Sequence, residues 1–275
     1  MYTMNSKPSK HWVDTHFHVF HASVAVKGAR YVPQYTAALQ DWMALAQGVG
    51  VTRGVWVQPS FLGTDNSLMV HALQAHPDVL RGVAVVAADI HPDELKALHL
   101  SGVRGIRLNL SGITHEIPEW MHAERVWQTM HDCGWHLELH TDLGALPSVL
   151  AQLPTDMPLV VDHMAKPSEA TARDATVRSL VQRAQHVPTY IKLSGAYRLG
   201  GVNATQLAQL WVQELGAAPL LWGSDWPCTN HEHEADYAAL FQALVDWVGA
   251  SHLHQVLSAN PQRLYWGGVD PQQPS

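Results

Sequence analysis

Val13 to Phe20 read VDTHFHVF. Side chains alternate across a β-strand, so residues two apart share a face. This alternation predicts Asp14, His16 and His18 on one face, and Val13, Thr15, Phe17 and Val19 on the other. A strand with one apolar face and one face able to bind a proton, a metal or a substrate is either a half-solvated strand or the lining of a site. The rest of the chain decides between the two.

Short β-rich runs alternate with longer helical ones along the whole sequence. Strands are expected at Val13–Phe20, Arg53–Ser60, Arg81–Ala88, Gly102–Leu110, Trp135–His140, Pro158–His163, Tyr190–Gly195 and Pro219–Asp225. Helices are expected at Tyr35–Gln47, Asn66–His76, Pro92–His99, Glu119–Asp132, Leu146–Gln152, Ser168–His186, Asn203–Leu215 and Ala235–Val248, with a last turn at Asn260–Tyr265. Eight strand–helix units argue for parallel βαβ connections, and eight in one chain of 275 residues suit a single-domain (β/α)8 TIM barrel spanning residues 1–275. The alternative, a doubly wound open sheet, usually has fewer strands and, when it binds a nucleotide, a glycine-rich first turn. No GxGxxG follows the first strand, and no GxxxxGK[ST] occurs.

The polar faces recur. Arg107 and Asn109 alternate with Ile106, Leu108 and Leu110; His136, Glu138 and His140 alternate with Leu137 and Leu139; Lys192 and Ser194 alternate with Ile191 and Leu193. In a barrel the helices cover the outer strand faces, which must be apolar, so the polar faces line the lumen. Each unpaired polar group there costs on the order of 2–7 kcal/mol, so mutual pairing, water, metal or substrate must offset it. His16, His18, Ser60, Arg107, Asn109, His140, His163, Ser194 and Asp225 all fall at or near strand C-termini, the barrel face that carries active sites.

Composition narrows the partners. The formal charge is −7, the pI is about 6.2, and there is no run of Lys or Arg, which argues against nucleic acid. No apolar stretch is long enough to span a membrane, and the N-terminal MYTMNSKPSK lacks the apolar core of a signal peptide. Cys133 and Cys228 make no disulfide framework. The expectation is a cytoplasmic protein, for which a homo-oligomer is compatible with the sequence.

Residue types suggest roles. Asp225, at the end of the eighth strand, is a candidate general base, and His163, at the end of the sixth, a candidate catalytic group. Arg107, Lys166 and Arg198 are candidate anion clamps; Asn109, Tyr31, Ser60 and Tyr197 are candidate substrate hydrogen-bonders. Glu138 and Lys192 read as deeper, structural groups that pair with each other or with Asp14. In HEHE (His231–Glu234), adjacent residues at a helix start face different ways, so one member at most edges a pocket.

DTHFH on the first strand, DHMAKP on the sixth and WGSDWP on the eighth together resemble the amidohydrolase superfamily, within it the group of pyrone-dicarboxylate and sugar lactonases. The resemblance runs on through RYVP, VQPSFLGTDN, GVRGIRLNL, IKLSGAYR and NPQRLYW. It implies a (β/α)8 hydrolase that opens a small lactone ester, with Asp225 activating water and His16, His18 and His163 around the scissile carbonyl. Its members often act without metal. Binuclear relatives carry a carboxylated lysine at the end of the fourth strand, where Arg107 and Asn109 stand here. Pyrone-dicarboxylate lactonases favour Arg at the position of Lys166, and Lys lacks the bidentate fork of Arg. An anionic lactone of the pyrone-dicarboxylate or the muconolactone and sulfomuconolactone kind is therefore expected. A metal-dependent decarboxylase, a neutral sugar lactonase, a lactone isomerase and a non-catalytic binding barrel remain as alternatives. His140 is a departure, since the metal-free members tend to lack a histidine there. With His16, His18 and Asp225 it completes a set suited to one divalent ion, Zn or Mn. The other reading of His140 is a member of a metal-free polar cluster.

Overall fold

The computed structural model describes residues 12–267; the MYTMNSKPSK segment lies outside them. The elements run β1 (Trp12–Phe17), α1 (Leu39–Gly48), β2 (Val51–Val57), α2 (Ser67–Ala75), β3 (Leu80–Ala84), α3 (Pro92–Leu100), β4 (Val103–Asn109), α4 (Glu124–Asp132) and β5 (His136–His140). Then follow α5 (Leu146–Leu150), β6 (Leu159–Val161), α6 (Ala175–Ala184), β7 (Thr189–Leu193), α7 (Ala204–Leu215), β8 (Leu220–Trp222), α8 (Tyr237–Val248) and α9 (Asn260–Tyr265). The eight strands pair in parallel in chain order, and a bridge between Phe17 and Trp226 nearly closes the sheet into the expected barrel. No helix among the described residues is long and apolar enough to cross a membrane.

Two apolar layers sandwich the strands. The outer one packs Phe17, Trp56, Ile106, Leu108, Leu137, Leu139, Ile191 and Leu193 against helix residues such as Trp42, Trp127 and Trp211. The inner one, Val13, Val55, Val57, Val83, Val160, Tyr190, Leu221 and Tyr265, fills the lower lumen. Above it sit the polar residues of β4, β5 and β7.

β1 departs from the expected alternation. Asp14 pairs with Gly54 and Phe17 with Trp56, so three steps on β1 face two on β2. This bulge turns Asp14 to the outer face while His16 and His18 point inward. There Asp14 accepts hydrogen bonds from Trp42 Nε1 (2.9 Å), Tyr237 OH (3.0 Å) and Ser224 Oγ (2.7 Å), which tie β1 to β8, α1 and α8. Asp14 is thus a strut outside the lumen and is not a partner of Lys192. Gly223 permits the β1–β8 closure, because a Cβ there would lie 2.4 Å from His16 Cβ.

Other boundaries moved for local reasons. The long helix expected over Ser168–His186 is only Ala175–Ala184, because Asp174 caps it, accepting from Thr176 N and Val177 N, while its other oxygen folds back Ser168 N and Glu169 N. The helix expected over Glu119–Asp132 breaks at Ala123 (φ −95°, ψ 37°) into a short 3₁₀ turn, Pro118–His122, and α4. β6 ends at Val161, and the chain leaves it through four consecutive left-handed residues, His163 to Lys166.

Candidate active site

Inside the barrel mouth lies a layer of fully buried charge. Lys192 Nζ donates to Glu138 Oε2 at 2.5 Å and lies 3.5 Å from Asp162 Oδ1. Arg107 donates to Asp162 Oδ2 through Nε (3.1 Å) and Nη2 (3.0 Å). His16 Nδ1 lies 3.1 Å from Asp162 Oδ1 and 3.2 Å from Lys192 Nζ. Two acids face two bases, so the formal charges cancel. Burial raises the Asp162 pKa, but His16, Lys192 and Arg107 outweigh it and hold the carboxyl well below the usual range. Glu138 and Lys192 pair as the sequence suggested. Asp162, at their centre, was overlooked there although it belongs to the quoted DHMAKP; alternation from Val160 would have placed it in the lumen.

Above this layer the imidazoles converge. His18 Nδ1 lies 2.7 Å from the Val57 carbonyl, which only accepts, so Nδ1 carries a proton and Nε2 is turned toward the site. That Nε2 lies 3.3 Å from His16 Nε2 and 3.4 Å from Asp225 Oδ1, and His16 Nε2 lies 3.6 Å from the same oxygen. His163 is held by Ser194 Oγ, 3.1 Å from its Nδ1, and packs on Gly195, where a Cβ would lie 2.6 Å from that nitrogen. His163 reaches the mouth only because of the left-handed turn, at a cost of about 1 kcal/mol or more for each such residue. Trp211 Nε1 secures that turn by donating to the Met164 carbonyl at 3.1 Å. His140 packs edge-on against His163, with ring centroids 4.5 Å apart, and neither of its buried ring nitrogens has a hydrogen-bond partner among the described residues.

Asp225 is clamped from behind. Its Oδ2 accepts from Arg198 Nε (2.6 Å) and Tyr197 OH (2.9 Å), leaving Oδ1 toward the histidines. Burial pushes the carboxyl up, but Arg198, then His163 and His18, outweigh it and hold it well below the usual range. Burial lowers His16 to about 3 and keeps His163 and His140 well below the ordinary histidine value. The site therefore presents neutral imidazoles beside a carboxylate.

The neutral histidines make stability pH-dependent. Unfolded His16 takes a proton near pH 6.5, whereas folded His16 does so only near 3. The unfolded chain thus binds more protons between these values, and stability falls as pH drops through that window. A loss of roughly 2 kcal/mol from His16 alone is expected between pH 6.5 and 5. Urea unfolding at the two pH values measures it; equal stabilities would contradict a neutral buried His16.

A cavity of about 240 Å³ opens over Asp225, His18, His140 and His163, walled by Arg107, Asn109, Ser60, Tyr31 and Arg198. Arg30, Ser111, Thr229 and Asn230 also line it; none was foreseen, because their loops carry no periodic signal. Two of the expected substrate contacts do not line it. Lys166 is not among the lining residues: its ammonium is drawn to Ser111 Oγ (3.4 Å). Tyr197 does not line the cavity either, since its hydroxyl is committed to Asp225. Arg198 and Arg107 do line it, each with its Nε engaged by a carboxylate. The metal set also regroups. His16, His163 and Asp225 bring ligand atoms within 4.8 Å of one another, as do His140, Asp162 and His163, so His163 takes the place expected of His140 next to His16 and Asp225.

A parallel barrel whose C-terminal mouth joins an ionised aspartate to neutral imidazoles beneath an arginine-walled cavity has the architecture of a barrel enzyme. The amidohydrolase family signature matches residues 13–266, and the chain belongs to that family. It is 31% identical to 2-pyrone-4,6-dicarboxylate hydrolase of Comamonas testosteroni, over 92% of this chain and 90% of that protein. It is 28% identical to 4-sulfomuconolactone hydrolase of Rhizobium radiobacter, over 94% of this chain and 90% of that protein. A crystal structure of a probable 2-pyrone-4,6-dicarboxylic acid hydrolase from Acinetobacter baumannii, with citric acid bound, superposes with a TM-score of 0.84 at 32% identity, covering 93% of this chain and 99% of that one.

Proposed function

We propose that the protein hydrolyses the ester of a small anionic lactone, of the 2-pyrone-4,6-dicarboxylate or sulfomuconolactone kind. The observation that carries this reading is the convergence of Asp225 Oδ1 with His18 Nε2 in the lining of an arginine-walled cavity, with His16 Nε2 buried behind them. The substrates named for its relatives, and the tricarboxylate bound by the Acinetobacter protein, support an anionic ligand.

In this reading Asp225 takes a proton from water as the water oxygen bonds to the lactone carbonyl carbon. A carboxylate with so low a pKa is a weak base, so polarisation of the carbonyl must supply the driving force. The imidazoles beside it supply that polarisation, or hold the ion that does. When the ring C–O bond breaks, protonated Asp225, a strong acid here, returns its proton to the leaving oxygen. The new carboxylic acid then ionises, so each turnover releases one proton. Arg107 and Arg198 face the anionic substituents, with Asn109, Ser60 and Tyr31 as hydrogen-bonding neighbours.

The donors fit a divalent ion. Tetrahedral zinc with bonds of about 2.0–2.1 Å sets its ligand atoms about 3.3 Å apart, close to the 3.3–3.6 Å separations of His16 Nε2, His18 Nε2 and Asp225 Oδ1. We assign one zinc or manganese to these three with His163, and His140 stands beside His163. When bound, the ion supplies Lewis-acid polarisation and a lowered water pKa. Elemental analysis with chelation and add-back checks the assignment: about one ion per chain and loss of activity on chelation are expected, and full activity at sub-stoichiometric metal would reject it.

A screen of anionic lactones followed by pH indicator tests the function. Ring opening of 2-pyrone-4,6-dicarboxylate or 4-sulfomuconolactone is expected; turnover only of neutral sugar lactones would contradict the anionic cavity.

A further inference from the structure

HEHE (His231–Glu234) stands out in the sequence, and the chemistry above leaves it unused. Its second residue does something specific. Glu232 Oε1 accepts from Tyr31 OH at 3.0 Å and from Tyr35 OH at 2.9 Å. These tyrosines lie 201 and 197 residues away in sequence, on the loop between β1 and α1, whereas Glu232 lies between β8 and α8. One carboxylate oxygen therefore joins two loops of the barrel mouth.

What hangs on this junction is the wall of the cavity. Arg30 and Tyr31 line it, and Glu232 does not. Elsewhere the loop is anchored by Ser23 N to the Pro33 carbonyl (2.7 Å), Val26 N to the Phe61 carbonyl (2.8 Å) and the Phe20–Ala37 backbone pair. Among the described residues, no backbone hydrogen bond fixes Arg30 or Tyr31 themselves. Tyr31 is held by its hydroxyl and by ring packing on Phe61, with centroids 5.4 Å apart. Arg30 is exposed, and no salt bridge engages it among the described residues. Its guanidinium reaches the loop after β4, where a Cβ on Gly112 would lie 3.3 Å from Arg30 Nη1. Arg107 and Arg198, by contrast, already neutralise carboxylates of the protein. Arg30 is therefore the cavity cation that has its charge to offer.

We propose that Glu232 is a positioning residue that, through Tyr31 and Tyr35, holds Arg30 over the cavity as the cation that sets affinity for an anionic substrate. This rests on the functional reading above and adds to it which cation discriminates and what holds it. Because the latch acts on binding and not on Asp225, its loss raises KM and spares kcat. Because Gln keeps a carbonyl oxygen that accepts from both phenols, Glu232→Gln preserves the latch where Glu232→Ala removes it.

Steady-state kinetics on 2-pyrone-4,6-dicarboxylate and 4-sulfomuconolactone test it. Glu232→Ala and Arg30→Met are each expected to raise KM roughly tenfold with kcat within about twofold, the cost of one charge-assisted contact. Glu232→Gln is expected to stay within about threefold of wild type, and the Glu232→Ala/Arg30→Met double variant to be no worse than the poorer single one, since both remove the same contact. An unchanged KM in Glu232→Ala, additive effects in the double variant, or a loss of kcat shared by the Gln and Ala variants overturns the latch. A wild-type protein that opens neither lactone overturns the functional reading, and this inference with it. Turnover of one of them with KM unmoved in Glu232→Ala overturns the latch alone.

Discussion

Asp225→Asn is expected to cut turnover by about 10³-fold or more while the protein still unfolds cooperatively. General acid–base catalysis by a placed side chain is worth roughly 10²–10⁴-fold, and in the proposed mechanism one carboxylate both accepts the water's proton and returns it to the leaving oxygen. Asn keeps the shape and can still accept from Arg198 and Tyr197, which hold Oδ2 at 2.6 and 2.9 Å. The backbone at Asp225 is left-handed (φ 58°), a conformation Asn tolerates well, so the substitution adds little strain. Tyr197→Phe gives the contrast. It removes one of two anchors and is expected to cost under tenfold, because Arg198 keeps the carboxylate low and in place. Stopped assays with circular dichroism on the same preparations check both; an Asn variant retaining a tenth of the wild-type rate would remove Asp225 from the chemistry.

Asp162→Asn is expected to produce the largest loss of stability, roughly 3–5 kcal/mol, the range for breaking a buried ion pair by removing one partner. Asp162 receives both Arg107 contacts and lies within 3.5 Å of Lys192 and 3.1 Å of His16. Neutralising it leaves two buried cations facing Glu138 alone. Activity falls too, since Arg107 and His16 lose the group that orients them. Denaturant unfolding of the two proteins at one pH measures the loss, and a difference under about 1 kcal/mol would show that the layer relaxes around the missing charge.

The barrel was legible because its strands obey a period of two. Arg107 and Asn109, Glu138 and His140, and Lys192 and Ser194 all point where alternation sends them, and the lower lumen is filled by the alternate apolar residues. Alternation failed where the backbone leaves the regular strand. The bulge in β1 sent Asp14 outward, and the left-handed turn after β6 brought His163 to the site beside Asp162, which alternation alone places there. Such departures rest on close packing between distant segments, as at Gly223 against His16 and Gly195 against His163, and nothing in the local sequence announces them. The loops are harder to read. Tyr197 and Lys166 follow strands, which suggests substrate contacts, and in the structure each has a partner within the protein. Arg30 opens the RYVP segment of the resemblance, but nothing local assigned it a role, and its place over the cavity appears only once the β1 and β8 loops are seen joined at Glu232.

The central claim is that water, activated at Asp225, attacks a lactone carbonyl. Turnover in H₂¹⁸O with mass spectrometry of the product tests it most directly. Hydrolysis of 2-pyrone-4,6-dicarboxylate is expected to place one ¹⁸O in the newly formed carboxylate under single-turnover conditions, with no carbon dioxide released and no label gained in the Asp225→Asn variant. A product that carries no label, as an isomerase would give, or release of carbon dioxide, as a decarboxylase would give, would contradict it.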